Sequence, residues 1–301
     1  MSVSKVIQLM YPYKVLSMLS SIYIIIAAVL WSLNPAVIQR FGRRLKPATI
    51  TVFRALAALA LLIPIAIISC SRSGINLYAL LVAVVSGVIG PSIGDAAYAK
   101  SIQLVGGSLA AIIGFTYIFI AQALAVVLLG EGIELAVVVG SILAFLGIVI
   151  ALYNKNPHSG KAYSSGVLYA VITAISWGVA SALIKLATTS IDPLTLAIIR
   201  LSTVLITLGP FAALLEKPRL RKELKNLVII SITTGTLSWG IGLYLLHYSI
   251  AVIGVSKTVL GVALTPILSQ AIVKLIAREE VGLRSVVGAM LVTIGIILSS
   301  L

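Results

Sequence analysis

Residues 87–108 read GVIGPSIGDAAYAKSIQLVGGS, and residues 235–256 read GTLSWGIGLYLLHYSIAVIGVS. Laid one over the other at an offset of 148, Gly87, Gly94, Ser101, Gly106 and Ser108 fall on Gly235, Gly242, Ser249, Gly254 and Ser256. Toward the C-terminus the register continues, with Gln122, Glu131, Gly140 and Gly147 on Gln270, Glu279, Gly288 and Gly295. Toward the N-terminus, after a two-residue difference in one loop, the offset is 146. Tyr23, Trp31, Pro47, Thr49, Arg54 and Pro64 then fall on Tyr169, Trp177, Pro193, Thr195, Arg200 and Pro210. Trp, Gln and Glu are scarce in this chain, so chance is a poor account of the match, and a duplicated structural unit is a good one.

Hydrophobic residues make up 60% of the 301 positions and charged residues 10%, a composition whose apolar excess must face lipid. Apolar runs between polar breaks predict ten membrane spans near 21–39, 48–69, 77–99, 107–129, 134–153, 165–186, 194–215, 226–247, 255–276 and 282–300. The predicted fold is therefore all-α, ten transmembrane helices in two repeats of five. The first repeat occupies 21–153 and the second 165–301, with an interfacial segment at 1–20, a linker at 154–164 and no room for a sizeable soluble domain. Five is odd, so the second repeat enters the bilayer from the opposite side, and an inverted repeat results. Two such halves can rock about a midplane site and open it to each side in turn.

The net charge of +14 does not point to nucleic acid, because no folded basic domain accompanies it. Arg40, Arg43, Arg44 and Lys46 lie between two apolar runs, as do Lys217, Arg219, Arg221, Lys222 and Lys225. Membrane proteins hold such clusters on the cytoplasmic side. Cys70 is alone, and His158 and His247 are far apart, so neither a disulfide nor a Cys/His metal site is expected, and no cofactor is implied. The first twenty residues lack the short apolar core and small-residue cleavage site of a removable signal peptide.

The ordered motifs resemble the EamA group of the drug/metabolite transporter superfamily over roughly residues 20–300. They are Trp31-Ser32-Leu33-Asn34 in the first span, echoed by Trp177-Gly178 in the sixth, and Pro47 and Pro193, each followed seven residues on by Arg54 or Arg200. A Gly-rich third helix then runs into a Ser-Ile pair and a small-residue turn, and a fourth ends in Gly130-Glu131 or Arg278-Glu279. The chain departs from the pattern where Ile118 stands opposite Pro266, and where an acidic turn, Gly130-Glu131-Gly132-Ile133-Glu134, lacks the usual basic residues. The resemblance implies ten helices around a central cavity and secondary transport, often export, of amino acids or other small metabolites.

Asp95 is the sole acid well inside a predicted span, and an ionised group in hydrocarbon needs a partner or a water-filled cavity. It either serves the substrate or a coupling proton, or ends its helix at the interface. Five residues separate it from Lys100, which sets the two about 140° apart around a helix. Lys257 and His247 have Leu109 and Ala99 as counterparts, an asymmetry in which selectivity can be written, although both can also snorkel to the interface. Arg54 and Arg200, two turns inside helices begun by proline, are expected to reach headgroups or a helix end in a structural or gating role. Trp31, Trp177, Trp239, Tyr98, Tyr117 and Tyr244 are candidates for the cavity wall or for an interfacial belt. Asn34, Gln122, Thr265 and Gln270 are neutral polar groups at mid-span that bind substrate or tie helices together. Pro35, Pro91 and Pro266 each remove a backbone hydrogen bond inside a predicted span and mark possible pivots. The glycine pairs Gly140/Gly147 and Gly288/Gly295 line one helix face for packing.

No phosphate-cradling loop is present, since Gly254-Val255-Ser256-Lys257-Thr258 lacks the spaced second glycine, so a gradient and not ATP must drive any transport. An enzyme needs a positioned acid, base or metal, which a single intramembrane acid does not supply. A channel needs a continuous pore with polar rings. The expectation is a carrier in the cell membrane for a zwitterionic or anionic metabolite, amino acids leading, with Lys257 or His247 at its carboxylate and a coupling proton or exchanged solute as partner. Lys and Arg outside the second and seventh spans number fifteen beside connections 1–2, 3–4, 5–6, 7–8 and 9–10, and five on the other side. The positive-inside rule puts the fifteen in the cytoplasm and both termini outside. A cysteine introduced at Ser2 is thus expected to react with an impermeant reagent in intact cells, and protection there would reverse the orientation.

Overall fold

Pro47 and Pro193 each stand at the first position of a helix, where a missing N–H costs nothing and the fixed φ suits the turn. In the second half Asp192 caps that helix, its carboxylate accepting from the backbone N–H groups of Leu194 and Thr195. The equivalent of Asp192 in the first half is Lys46, which cannot accept. Glu216 reaches across from the second half instead and takes the N–H groups of Ala48 and Thr49 at 3.1 and 2.7 Å. One half thus completes a helix end in the other.

The computed structural model describes residues 13–69, 75–129, 135–152, 160–218, 220–262 and 264–298. Every described element is helical. In chain order they are α1 (Tyr13–Phe41), α2 (Pro47–Ile68), α3 (Leu77–Val105), α4 (Gly107–Gly114), α5 (Tyr117–Leu129), α6 (Leu135–Leu152), α7 (Lys161–Ala187), α8 (Pro193–Glu216), α9 (220–262), α10 (Thr265–Ala277) and α11 (Leu283–Leu298). Among the described residues, seven helices are long and apolar enough to cross a membrane: Ile22–Phe41, Pro47–Ile68, Leu77–Val105, Gly107–Val127, Lys161–Ala187, Pro193–Glu216 and Arg221–Ile253. Three shorter apolar helices cover Val138–Ala151, Thr265–Ala277 and Leu283–Gly295. Ile67, Val127, Ile206 and Leu283 face outward at 70% exposure or more, which an apolar solvent tolerates and water does not.

Packing is reciprocal between the halves. α1 lies against α9 and α10, and its counterpart α7 lies against α3, α4 and α5. α2 crosses α9, α8 crosses α3, α2 meets α8, and α6 meets α11. Glycines set these approaches. A Cβ on Gly87 would come within 3.1 Å of the Arg200 backbone, and one on Gly235 within 2.9 Å of the Arg54 backbone, the symmetry-related contact. Gly94 lies so close to Trp177, and Gly242 to Trp31, that a Cβ would fall within 2.9 and 2.8 Å of the indoles.

Both third spans widen into π-helix at matching places, Val88–Gly94 in α3 and Ser231–Gly242 in α9. Such wide turns free backbone groups and re-aim side chains, and they concentrate at functional sites. A second matched feature is a break in the following span, between Gly114 and Tyr117 in the first half and between Val262 and Thr265 in the second. Pro266 therefore does not kink a continuous helix as expected. It sits in the first turn of α10, where proline is accommodated. The break recurs in the first half opposite Ile118, so proline is not its cause.

Several boundaries differ from the sequence reading. α3 runs to Val105 and not 99, so Asp95 lies well inside a span and not at its end. α9 continues through Gly254, where a connection near 247–255 was expected, whereas Gly106 in the first half does turn, at φ +87°. That left-handed value admits glycine readily, and a Cβ there would also meet the Glu279 carboxylate at 2.7 Å. α7 starts at Lys161, four residues ahead of its expected start. Residues 1–12 of the interfacial segment expected at 1–20, residues 154–159 of the linker expected at 154–164, and the acidic turn at 130–134 lie outside the described residues.

The tightest contact between helices is α6 on α11. A Cβ on Gly147 would sit 2.6 Å from the Gly288 carbonyl, one on Gly288 2.5 Å from the Gly147 carbonyl, and Gly295 is pressed against Gly140 in the same way. Gly288→Val should therefore lower thermal stability in detergent by about 1–3 kcal/mol, the range for overpacking. Gly282→Ser, with nothing within 4 Å and a side chain suited to the head of α11, should not lower it, and equal melting of the two would refute the close approach.

Candidate functional site

The widened turn of α3 delivers Asp95 into the centre of the protein, where it is 6% exposed. Arg54, fully buried on α2, donates from Nη1 to Asp95 Oδ1 at 3.2 Å. The Trp177 indole on α7 donates to the other oxygen at 3.0 Å. The fully buried Arg54 guanidinium also lies over the Trp239 ring of α9, 4.1 Å from its centroid, a cation–π contact. Four helices from both halves thus converge on one ion pair. In low dielectric such a pair is held only when its remaining valences are met, and here one indole N–H and one π-face supply part of that.

Beside the pair is a cavity lined by residues of both halves. Its aromatic wall comprises Trp31, Phe115, Tyr117, Trp177 and Trp239. Trp177 is central to that wall, with Tyr98, Phe115 and Tyr117 rings set edge-on to it at centroid distances of 4.9, 5.6 and 5.8 Å. The polar wall comprises Asn34, Asp95, Ser181 and Arg200. Gly90, Pro91, Ala180, Ile184, Leu243 and Leu246 complete it. Phe115, in the helix break, and Tyr117, just after it, both reach the wall.

Arg200 is the repeat counterpart of Arg54 and is 3% exposed. The position equivalent to Asp95 is Leu243. Arg200 instead hydrogen-bonds His247 Nε2, while its Nε has no partner. Arginine only donates, so Nε2 accepts and the His247 ring is not doubly protonated. Symmetry breaks at the indoles too. Trp31, the twin of Trp177, finds no carboxylate and donates to the Ser238 backbone carbonyl at 2.9 Å.

Of the residues expected to bind substrate, Trp31, Asn34, Asp95, Tyr117, Trp177 and Trp239 share this cavity. Tyr98 backs Trp177 from behind, and His247 backs Arg200. Tyr244 packs instead with Tyr248, and Gln270 bonds the hydroxyl and carbonyl of Ser108. Lys257 belongs to α9, but its side chain is outside the described residues. Arg54 and Arg200 do not reach headgroups or a helix end, because both are buried in the interior, against Asp95 and His247. Among the expected pivots, Pro91 lines the cavity in the π-helical stretch, while Pro35 abuts Gly107 inside α1. Sequence reasoning missed Phe115 and the cavity-facing role of Arg200. The lack of an acid opposite Asp95 in the second repeat was the available signal for the latter.

Away from the cavity, polar side chains tie helix ends together. Arg40 donates to the Ile276 carbonyl at 2.7 Å, and Gln103 to those of Gly42 and Leu45. Gln39 and Glu279 both accept from Gly107 N–H, and Glu279 also from Ser108 N–H. The opposite helix ends hold Asn76 to Ser190 and, at 3.5 Å, Lys185 to the Ile250 carbonyl.

The profile of the EamA-like transporter family matches the chain twice, over residues 18–153 and 164–301. A protein of Archaeoglobus fulgidus described as an uncharacterized transporter is 26% identical over 281 residues, 93% of this chain and 98% of its own. A crystal structure described only as that of a protein shares the fold, with a TM-score of 0.67 at 18% identity, over 93% of this chain and 95% of the other.

Removing one member of the central pair leaves a buried unpaired charge, which costs about 3–5 kcal/mol. Asp95→Asn is therefore expected to melt well below wild type in detergent, and the double variant Asp95→Asn/Arg54→Met to recover part of that loss. Additive losses in the double variant would show that the two side chains do not act as a pair.

Proposed function

We propose that this chain, a multi-pass membrane protein belonging to the EamA-like transporter family, is a secondary active transporter that carries small organic metabolites across the cell membrane by alternating access. The observation that carries the reading is the exchange of equivalent contacts around the cavity, Gly94 against Trp177 and Gly242 against Trp31. A two-fold relation between halves with an odd number of spans has its axis in the membrane plane. The three shorter apolar helices added to the seven long ones support ten spans in inverted repeats. Paired breaks at equivalent places in two spans are what midplane binding sites of such carriers are built from.

The cavity is mostly apolar with a few convergent polar groups, the make-up of small-molecule sites. Its aromatic wall suits an organic body, and its charged wall suits amino acids or related zwitterions and anions. Among the described residues, Gln39, Arg40 and Glu279 tie helix ends at one end of the bundle, and alternating access would break these bonds in the alternate state. A coupling proton or an exchanged solute would complete the cycle, and the charge asymmetry supports termini outside the cell. An aqueous channel or a membrane-embedded enzyme would use the same cavity differently.

Counterflow in proteoliposomes separates the three. Unlabelled solute on one side should accelerate uptake of the labelled solute, without chemical change. Flux without acceleration would mean a channel, and an altered product an enzyme. Gly94→Leu, which forces a side chain into Trp177, should depress counterflow at least tenfold, while Gly282→Leu should not.

A further inference from the structure

The buried charges beside the cavity do not cancel. Arg54 and Asp95 neutralise each other at 3.2 Å, and both Asp95 oxygens already have a donor. Arg200 is left with one positive charge, 3% exposed, and no carboxylate within ion-pair distance among the described residues. The neutral His247 ring takes one of its N–H groups, and Nε has no acceptor. Gly90 leaves just the space that Arg200 needs, since a Cβ there would lie 2.8 Å from Nη2. Both Gly90 and Arg200 are on the cavity wall. The Asn34 amide oxygen, on the same wall, also has no partner.

The internal repeat supplies the missing element. It copies the arginine of the Arg54–Asp95 pair as Arg200 and replaces the aspartate by Leu243, which itself lines the cavity. A second guanidinium has been kept in the membrane interior while its intrinsic counter-ion has been deleted. An uncompensated buried charge is costly, and occupancy by an anion removes that cost.

We infer that the transported solute is an organic monoanion whose charged group pairs with Arg200, in the place left by the absent carboxylate at position 243, with an apolar or aromatic body against Trp31, Phe115 and Trp177. This rests on the carrier reading of the same cavity and narrows it. An ammonium group would have to share Asp95 with Arg54 and Trp177 and would face the net positive charge of the two arginines and one acid, so zwitterions and cations are discriminated against. Specificity follows the absence of a partner for charge in the ground state of the site, and a rejected cation would face Arg200 at close range.

Three probes share one body and differ in charge: 3-phenylpropanoate, L-phenylalanine and 2-phenylethylammonium. In chloride-free buffer the full-length protein in detergent should be stabilised by 3-phenylpropanoate. L-phenylalanine should need at least tenfold higher concentration for the same shift, and 2-phenylethylammonium should give none. Leu243→Asp, which restores the internal pair, should melt cooperatively and lose the response to the anion at least tenfold, as should Arg200→Gln. Should either variant fail to fold, the ranking on wild type decides. An equal or stronger response to the zwitterion or the cation overturns the inference, as does no response to the anion, or a folded Leu243→Asp that responds as wild type does. Counterflow of the zwitterion or cation in proteoliposomes would leave the carrier reading standing while the anion assignment falls. Anion-dependent stabilisation that Leu243→Asp abolishes, with no counterflow of that anion, would keep the site and remove the carrier.

Discussion

A guanidinium and a carboxylate facing each other at 3.2 Å in the apolar interior constrain nearly everything around them. Neither Arg54 nor Asp95 is stable there alone, and each comes from a different helix, so α2 and α3 must be held in register for the pair to exist. Trp177 and Trp239 extend that requirement to α7 and α9 in the other half. The widening of α3 at Val88–Gly94 and the glycine at 94 follow from it, because the indole of Trp177 must approach the backbone closely to reach Asp95. The cavity wall is the other face of the same indoles, so the groups that hold the halves together are also the groups a solute would touch.

The duplicated architecture is informative where its copies diverge. Lys46 in place of an N-capping Asp192 is compensated by Glu216 reaching from the opposite half. Gly106 turns sharply under the Glu279 carboxylate, whereas Gly254 stays helical within α9. Leu243 in place of Asp95 is compensated differently, by a neutral histidine on Arg200 and by a backbone carbonyl for Trp31. The first two differences concern helix ends and are accommodated within the protein. The third leaves a buried charge beside a cavity, where a solute can complete what the chain does not.

The sequence by itself determined the helical, membrane-spanning class, because an apolar excess of this size admits few other solvents. It determined the repeat, because Trp, Pro, Arg, Gln and Glu recur at one register, and with it the resemblance to the EamA family that the profile match over both halves bears out. It also singled out Asp95, since an intramembrane acid is conspicuous whatever the fold, and the Trp31 and Trp177 positions that share its cavity.

Only the tertiary structure decided which charges meet. A span of sequence carries helical phase but not the rotation of one helix against another, so Arg54 read as a residue within reach of headgroups and is in fact the counter-ion of an acid 41 residues away. The same blindness hid the contacts of His247 and Tyr244, of which one hydrogen-bonds Arg200 and the other packs with Tyr248. Helix ends were equally out of reach: α3 continues past 99 to Val105 and stops where Gly106 turns at φ +87°, a boundary that hydropathy does not mark. Burial and pairing are properties of contacts between distant segments, and a one-dimensional pattern records only the residues available to make them.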